Sequence, residues 1–371
     1  MRAVVITKHG GPAVLKVEER PDPQLGRDEV RIAVAASGIN FADVITKHGG
    51  PAVLKVEDRP DPQLGRDEVR IAVAAAGINF ADVMARMGLY PDAPKPPCVI
   101  GYEVAGTILE LGEGVEGLAH GQRVVAGTKF GGYASQVVVP ASDVVPLPDE
   151  FTFEHGAAIP VNYTTAWAAL IGYGNLQPGE RVLIHAAGGG VGVAATQIAK
   201  RGGAEVWGTA SPSKHERCVE LGVDHPLDYT SSDWDAGLGE FDVILDAIGG
   251  KSFRRSYSML APGGRLVAFG ASAVVSGPRR NPLTALRTVL RMPRFNMLKQ
   301  MSESKAVIGL NMLTLWKSRQ SLEPWIAPLR ELMDDGTVKP EVAGAFSFED
   351  AGAAQTMITE RRNVGKVVLV P

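Results

Sequence analysis

The sequence predicts an α/β fold in which an antiparallel β-barrel catalytic domain is joined to a doubly wound parallel-sheet domain. Three observations predict it. Short strand-like runs broken by Gly and Pro fill residues 67–148, apolar β runs alternate with helical stretches after Pro160, and a glycine turn joins one of those runs to a helix. At 371 residues the chain is long enough for two domains with their own cores.

The chain opens with an internal repeat. Residues 7–45 recur as residues 46–84, an offset of 39, and only three positions differ: Glu19/Asp58, Ser37/Ala76 and Ile45/Met84. A unit that occurs twice and then stops is not a solenoid. Either copy can supply the opening strand of the barrel. The second is assigned the working site because it runs directly into Ala85-Arg86-Met87-Gly88-Leu89-Tyr90, which leaves residues 1–45 as a largely supernumerary duplicate. Barrel strands are expected at 69–75, 106–111, 123–126 and 136–140, within a catalytic domain spanning 46–160. A nucleotide domain at 161–312 follows, with strands at 181–186, 205–210, 241–246, 265–269 and 306–310 and helices at 191–201 and 214–221. Residues 313–371 hold two helices and a closing strand at 365–370 that returns to the first domain.

Arg181-Val182-Leu183-Ile184-His185-Ala186 leads into Ala187-Gly188-Gly189-Gly190-Val191-Gly192 and then a helix. This order suits a dinucleotide. The glycines let the backbone approach a pyrophosphate, and the helix N-terminus presents unpaired N–H groups and partial positive charge. Gly189, Gly190, Val191 and Gly192 are therefore cofactor candidates. An NAD site would place a carboxylate about 20 residues further on. Here Ser211 and Lys214 stand in that region, a hydrogen-bond donor and a cation that suit a 2′-phosphate, with Tyr229 beyond the next strand beside the adenosine phosphate. NADPH is the expected cofactor.

These residues resemble the medium-chain dehydrogenase/reductase superfamily, whose members pair a GroES-like barrel with a Rossmann domain. Gly77-Ile78-Asn79-Phe80-Ala81-Asp82, Gly88-Leu89-Tyr90-Pro91 and the glycine turn are similar to its zinc-independent quinone oxidoreductase branch. More narrowly, residues 79–86, 208–216 and 363–367 resemble the vesicle amine transport protein subgroup. The resemblance implies several site residues. Zinc-dependent relatives carry Cys where this chain has Asn79, and Gly-His-Glu where it has Gly101-Tyr102-Glu103; an amide and a phenol are poor zinc ligands, so no metal is expected. Asn79 is expected beside the nicotinamide, donating to substrate or positioning the ring. Tyr90 aligns with a proton-donating tyrosine of enoyl reductases and is read either as an acid or as a packing ring. Thr165 is expected on the nicotinamide face, Phe269, Gly270 and Asn311 around its pocket, and Asn363 and Lys366 where the closing segment meets the cleft. Asn40, the first-copy counterpart of Asn79, lacks a following Gly-Leu-Tyr-Pro and is given no catalytic role.

Composition excludes other classes. Two cysteines, Cys98 and Cys218, are too few for a disulfide framework and point to a reducing cytoplasm. The start lacks a signal peptide's apolar run, and no stretch approaches a membrane span. With 38 basic and 41 acidic residues, net −3, no field recruits nucleic acid. The basic segment at 277–301 reads as a helical cover over the cleft or, second, as a membrane-surface helix. The expectation is an NADPH-dependent reductase of quinones or α,β-unsaturated carbonyls, homodimeric, with no nucleic-acid partner and no membrane association. The alternatives are an enoyl-thioester reductase or a nucleotide-binding adaptor at membranes with little turnover.

Overall fold

The computed structural model describes residues 2–6, 15–19, 40–45, 48–275 and 282–371. The chain divides into two compact units, Met1–Gly38 and Ile39–Pro371. In the first, strands Arg2–Ile6 and Leu15–Glu19 form an antiparallel hairpin.

The second unit contains both expected sheets. One is the GroES-like barrel, in the order Val144–Pro146, Arg123–Gly127, Glu103–Leu111, Glu68–Ile78, Lys366–Val370, Val342–Ser347, with Gln136–Pro140 also paired to Glu68–Ile78. Along Glu68–Ile78, Val69, Ile71 and Val73 point into the core while the intervening residues are half-buried, the period-two pattern of a strand with one covered face. From Ala75 onward every residue is buried; there the strand pairs on one side with Glu103–Leu111 and on the other with the closing strand, Val367 opposite Ile78. Gly106, opposite Val73 on Glu103–Leu111, allows the close approach of these two strands: a Cβ there would lie 2.0 Å from the Ala72 carbonyl oxygen.

The other sheet is the Rossmann half, with six parallel strands in the order His225–Asp228, Glu205–Ala210, Arg181–Ile184, Phe241–Asp246, Leu260–Ala268, Ala306–Gly309. Val182, Leu183, Val243, Ile244 and Leu245 are almost wholly buried, as expected for a sheet covered on both faces. The chain order reverses between Arg181–Ile184 and Phe241–Asp246. Such a switch point opens a crevice at the carboxyl ends of the strands, where ligands bind in open α/β sheets.

The repeat folds in an unexpected way. Asn40–Ile45, the end of the first copy, is a strand that pairs with Leu54–Arg59 and with Cys98–Val99 in the second unit. Its sequence, Asn-Phe-Ala-Asp-Val-Ile, recurs as Asn79 to Met84, where Asn79 caps the helix Phe80–Arg86. Sequence context explains the difference. Ile45 is followed by Thr-Lys-His-Gly-Gly-Pro, which cannot continue a helix, whereas Met84 is followed by Ala85 and Arg86, both buried in the last helical turn. In each hairpin the strand pairs with its partner in the same register at an offset of 39, Ile6 facing Leu15 and Ile45 facing Leu54. Phe41 to Ile45 can replace Arg2 to Ile6 as an opening strand because Ala42, Val44 and Ile45 repeat Ala3, Val5 and Ile6. The boundary between the two units falls at Gly38, and the last six residues of the first copy, Asn40–Ile45, pair within the second unit.

Candidate functional site

The crevice is a cleft of about 1110 Å³ lined from both the barrel and the Rossmann half. Every residue named above as a cofactor or catalytic candidate lines it, from Asn79 and Tyr90 in the barrel to Asn363 and Lys366 in the closing segment. The described part of the basic segment does not. Helix Pro282–Leu290 docks through the Thr288 hydroxyl on the Ala273 carbonyl at 3.1 Å, while Leu283, Leu286 and Leu290 are exposed, so it does not cover the cleft.

The glycine turn suits a dinucleotide pyrophosphate. Helix Gly190–Arg201 begins at Gly189 with no side-chain cap, leaving its first turn to an external acceptor. A Cβ on Gly192 would stand 2.4 Å from the Ala186 oxygen, and one on Gly190 2.6 Å from the Asn162 side chain, so these positions need glycine for packing. The closest Cβ approach at Gly188 is 3.5 Å, which leaves its face toward the cleft open. The Gly365 amide donates to the Gly188 oxygen at 2.8 Å, stitching the closing segment to the turn.

At the end where the adenosine phosphate was expected, Ser211, Tyr229 and Lys214 line the cleft, and Lys214 is engaged with the protein itself. Its ammonium donates to the Arg361 carbonyl at 2.7 Å and the Asn363 carbonyl at 2.5 Å, and half-burial lowers its pKa. The lysine ties the closing loop to the nucleotide domain, and its charge is turned toward carbonyl oxygens. Arg361, which the sequence reading missed, is exposed, has a left-handed backbone (φ 56°) and sets its guanidinium 5.8 Å from the Tyr229 ring centroid. Deeper down, burial holds His185 below its ordinary pKa, so the ring is neutral. It bonds Thr209 at 3.3 Å and Ser256 at 3.0 Å, which ties together the ends of two Rossmann strands and the helix Lys251–Ser258.

At the other end a buried cluster surrounds Asn79. The Lys366 ammonium donates to Asn79 Oδ1 at 2.7 Å and to Glu103 Oε1, and Asn79 Nδ2 donates to the same Glu103 oxygen at 3.0 Å. The other Glu103 oxygen accepts from Val161 N at 2.7 Å. Ammonium and carboxylate together fix which way the amide faces, leaving one N–H of Asn79 without a partner in this cluster. Behind it, Asp82 accepts from Asn79 N at 2.7 Å, Gly101 N at 3.0 Å and the Tyr133 hydroxyl at 3.0 Å; burial outweighs these bonds and pushes its carboxyl up to about 7. Thr165 lines the cleft from helix Pro160–Trp167. Phe269 and Gly270 follow the strand Leu260–Ala268, while Asn311 uses its side-chain oxygen to cap helix Met312–Arg319 at Leu313 N and Thr314 N.

Tyr90 and Tyr102 face one another edge-on with centroids 6.3 Å apart, and Tyr102 leans on Phe130 at 5.0 Å. Burial, reinforced by the Asp92 and Asp82 carboxylates, raises the Tyr90 phenol. Where the sequence resemblance places zinc ligands, the structure offers an amide and a phenol beside a carboxylate already paired with an ammonium. This donor set does not suit zinc, and among the described residues no group of three His, Cys, Asp or Glu side chains gathers to hold a metal. Among the described residues, also, no helix is long and apolar enough to cross a membrane.

A GroES-like barrel, a Rossmann sheet and a dinucleotide cleft between them define an oxidoreductase. The chain belongs to the medium-chain dehydrogenase/reductase superfamily, with quinone oxidoreductases among its structural neighbours. Residues 65–149 match the alcohol dehydrogenase GroES-like domain family and residues 221–369 the zinc-binding dehydrogenase family. The human synaptic vesicle membrane protein VAT-1 homolog is 36% identical over 379 aligned positions, covering 100% of this chain and 86% of that protein. Among solved structures, the quinone oxidoreductase of Pseudomonas syringae pv. Tomato DC3000 is 30% identical with a TM-score of 0.77, covering 90% of this chain and 100% of that one. A mycobacterial protein solved in complex with NADPH has the same identity, TM-score and coverage.

Proposed function

We propose that the protein is a zinc-independent reductase that uses NADPH to reduce quinones or α,β-unsaturated carbonyl compounds. The observation that carries this reading is the Asn79–Glu103–Lys366 cluster. It puts a fixed amide in the cleft that begins at the glycine turn, held from behind by the buried Glu103 carboxylate and its Lys366 counter-charge. Alcohol oxidation needs a Lewis acid or a free general base to form an alkoxide, and the cluster's carboxylate is already paired with an ammonium, whereas reduction of an activated double bond needs only donors for the oxygen on which charge develops. NADPH supplies the hydride.

The residues divide the remaining work. Gly189, Gly190, Val191 and Gly192 take the pyrophosphate at the helix N-terminus, Thr165, Phe269, Gly270 and Asn311 shape the nicotinamide pocket, and Asn79 orients the ring or the acceptor. Ser211, Tyr229 and Arg361 meet the 2′-phosphate, while Lys214 and Asn363 hold the loop that presents Arg361. The NADPH complex of the mycobacterial relative and the quinone oxidoreductase of P. syringae support both halves of the reading. The test is NADPH oxidation by chelator-treated protein against a panel of quinones, enones and enoyl thioesters. Turnover that survives chelation is expected; no turnover with any acceptor, or turnover restored only by zinc, would overturn the reading.

A further inference from the structure

Resting on that reading, we infer that Trp316 is the specificity-determining wall of the acceptor end. Its indole stops the cleft beside the Asn79 cluster, so that a compact acceptor is admitted and one extended by a second ring is excluded.

Register and contact place the residue. In the pairing of Arg123–Gly127 with Glu103–Leu111, Gly127 lies opposite Glu103, the carboxylate that holds Asn79. A Cβ on Gly127 would meet Leu322 Cδ1 at 2.6 Å and Trp316 Cη2 at 3.2 Å, so these two side chains press on the barrel at that point and a glycine leaves room for them. Gly127, Trp316 and Leu322 all line the cleft, as do Tyr90 and Tyr102, whose rings meet edge-on. The acceptor end is therefore walled by aromatic and aliphatic surface, which suits an apolar carbonyl compound.

The wall is held in place. Trp316 belongs to helix Met312–Arg319, which follows the last Rossmann strand in the chain, yet it is tied to the barrel. Its Nε1 donates to Asp143 Oδ2 at 3.0 Å, and the other Asp143 oxygen accepts from Leu322 N at 2.8 Å. Both Asp143 and Trp316 are buried, so these charge-assisted bonds are shielded from water. The Lys129 ammonium stands 5.3 Å from the indole centroid, and on the same helix Lys317 Nζ donates to Asp92 at 3.2 Å, two residues beyond Tyr90. An indole pinned at its nitrogen and packed against the barrel does not swing aside for a larger guest, so its position sets the size limit.

Removing the indole leaves an apolar hollow beside Leu322, and hollows of that kind stay dry and take a benzene-sized guest. The test is equilibrium dialysis of two enones, benzylideneacetone with one phenyl ring and chalcone with two, against the intact protein loaded with NADP⁺, so that no turnover enters the readout. In Trp316→Ala the ratio of the two Kd values is expected to shift about tenfold toward chalcone, the scale on which a pocket discriminates small apolar groups, with the Kd for NADPH unchanged. Trp316→Leu keeps a larger apolar side chain in the core should the alanine variant fail to fold, and its ratio should shift the same way by about threefold. A ratio that stays at the wild-type value, one that moves only together with weakened NADPH, or failure of every protein to bind either enone would overturn the assignment of Trp316, even where quinones are still reduced. A ratio that shifts as expected, without NADPH oxidation by any acceptor, would sustain the wall and sink the reductase reading.

Discussion

Lys366→Met removes the ammonium from a pair in which the lysine side chain is 3% and the Glu103 side chain 0% exposed. The carboxylate would keep two hydrogen bonds, from Asn79 Nδ2 at 3.0 Å and Val161 N at 2.7 Å, and lose its counter-charge. Removing one partner of a buried pair costs about 3–5 kcal/mol, because the orphaned charge stays out of water. At roughly 2 °C per kcal/mol, this lowers the melting temperature by about 6–10 °C. Methionine keeps most of the volume, so the loss is electrostatic. The second variant, Lys366→Met with Glu103→Gln, buries no charge and should regain most of the stability. Calorimetry and urea unfolding of the two singles and the double would close the cycle. A loss below about 1 kcal/mol in Lys366→Met, or a double variant no more stable than that single, would refute the claim that this pair is a mutually dependent buried unit.

Three further outcomes are expected. Arg361→Ala should weaken NADPH about tenfold and leave NADH unchanged, the loss of one charge-assisted contact, whereas Lys214→Ala should weaken both cofactors by loosening the loop; fluorescence titration with the two nucleotides separates these. Asp82 binds its proton more tightly folded, with a pKa of about 7, than unfolded, near 3.8, so its contribution to stability is full below about pH 4 and is lost as pH rises to about 7. Asp82→Asn should therefore flatten the fall of unfolding free energy across that window, and equal slopes in both proteins would contradict the assignment. A chain that begins at Ile39 should keep its melting temperature and nucleotide binding, whereas one that begins at Thr46 should melt lower, because it lacks the strand Asn40–Ile45 that pairs on two sides.

Much of the Rossmann half was legible, because its strands are continuous apolar runs and its glycine turn has a strand before and a helix after. Strands Glu205–Ala210 and Phe241–Asp246 fall where the apolar runs place them. Strand Val342–Ser347 was not legible: Ala343, Gly344 and Ala345 dilute its alternation, and it exists through pairing with Lys366–Val370. The two fates of Asn-Phe-Ala-Asp-Val could not be read from identical strings; the residues on the C-terminal side of each string decide between strand and helix. At the site, Lys366 and Glu103 were each named but their pairing was not, since a contact across 263 positions leaves no local trace. Tyr102 was read only as a missing histidine, and its packing against Tyr90 and Phe130 is a fact of the fold. Arg361 had a signal, a basic pair just before Asn363, but its left-handed backbone, which lifts it beside Tyr229, did not.

The most direct measurement is the steady-state kcat/KM of chelator-treated, metal-analysed protein for NADPH and for NADH with one quinone acceptor. Zinc-free protein is expected to turn over with NADPH at least tenfold more efficiently than with NADH. Equal use of the two nucleotides, or activity that tracks bound zinc, would contradict the assignment of this cleft to metal-free, NADPH-dependent reduction.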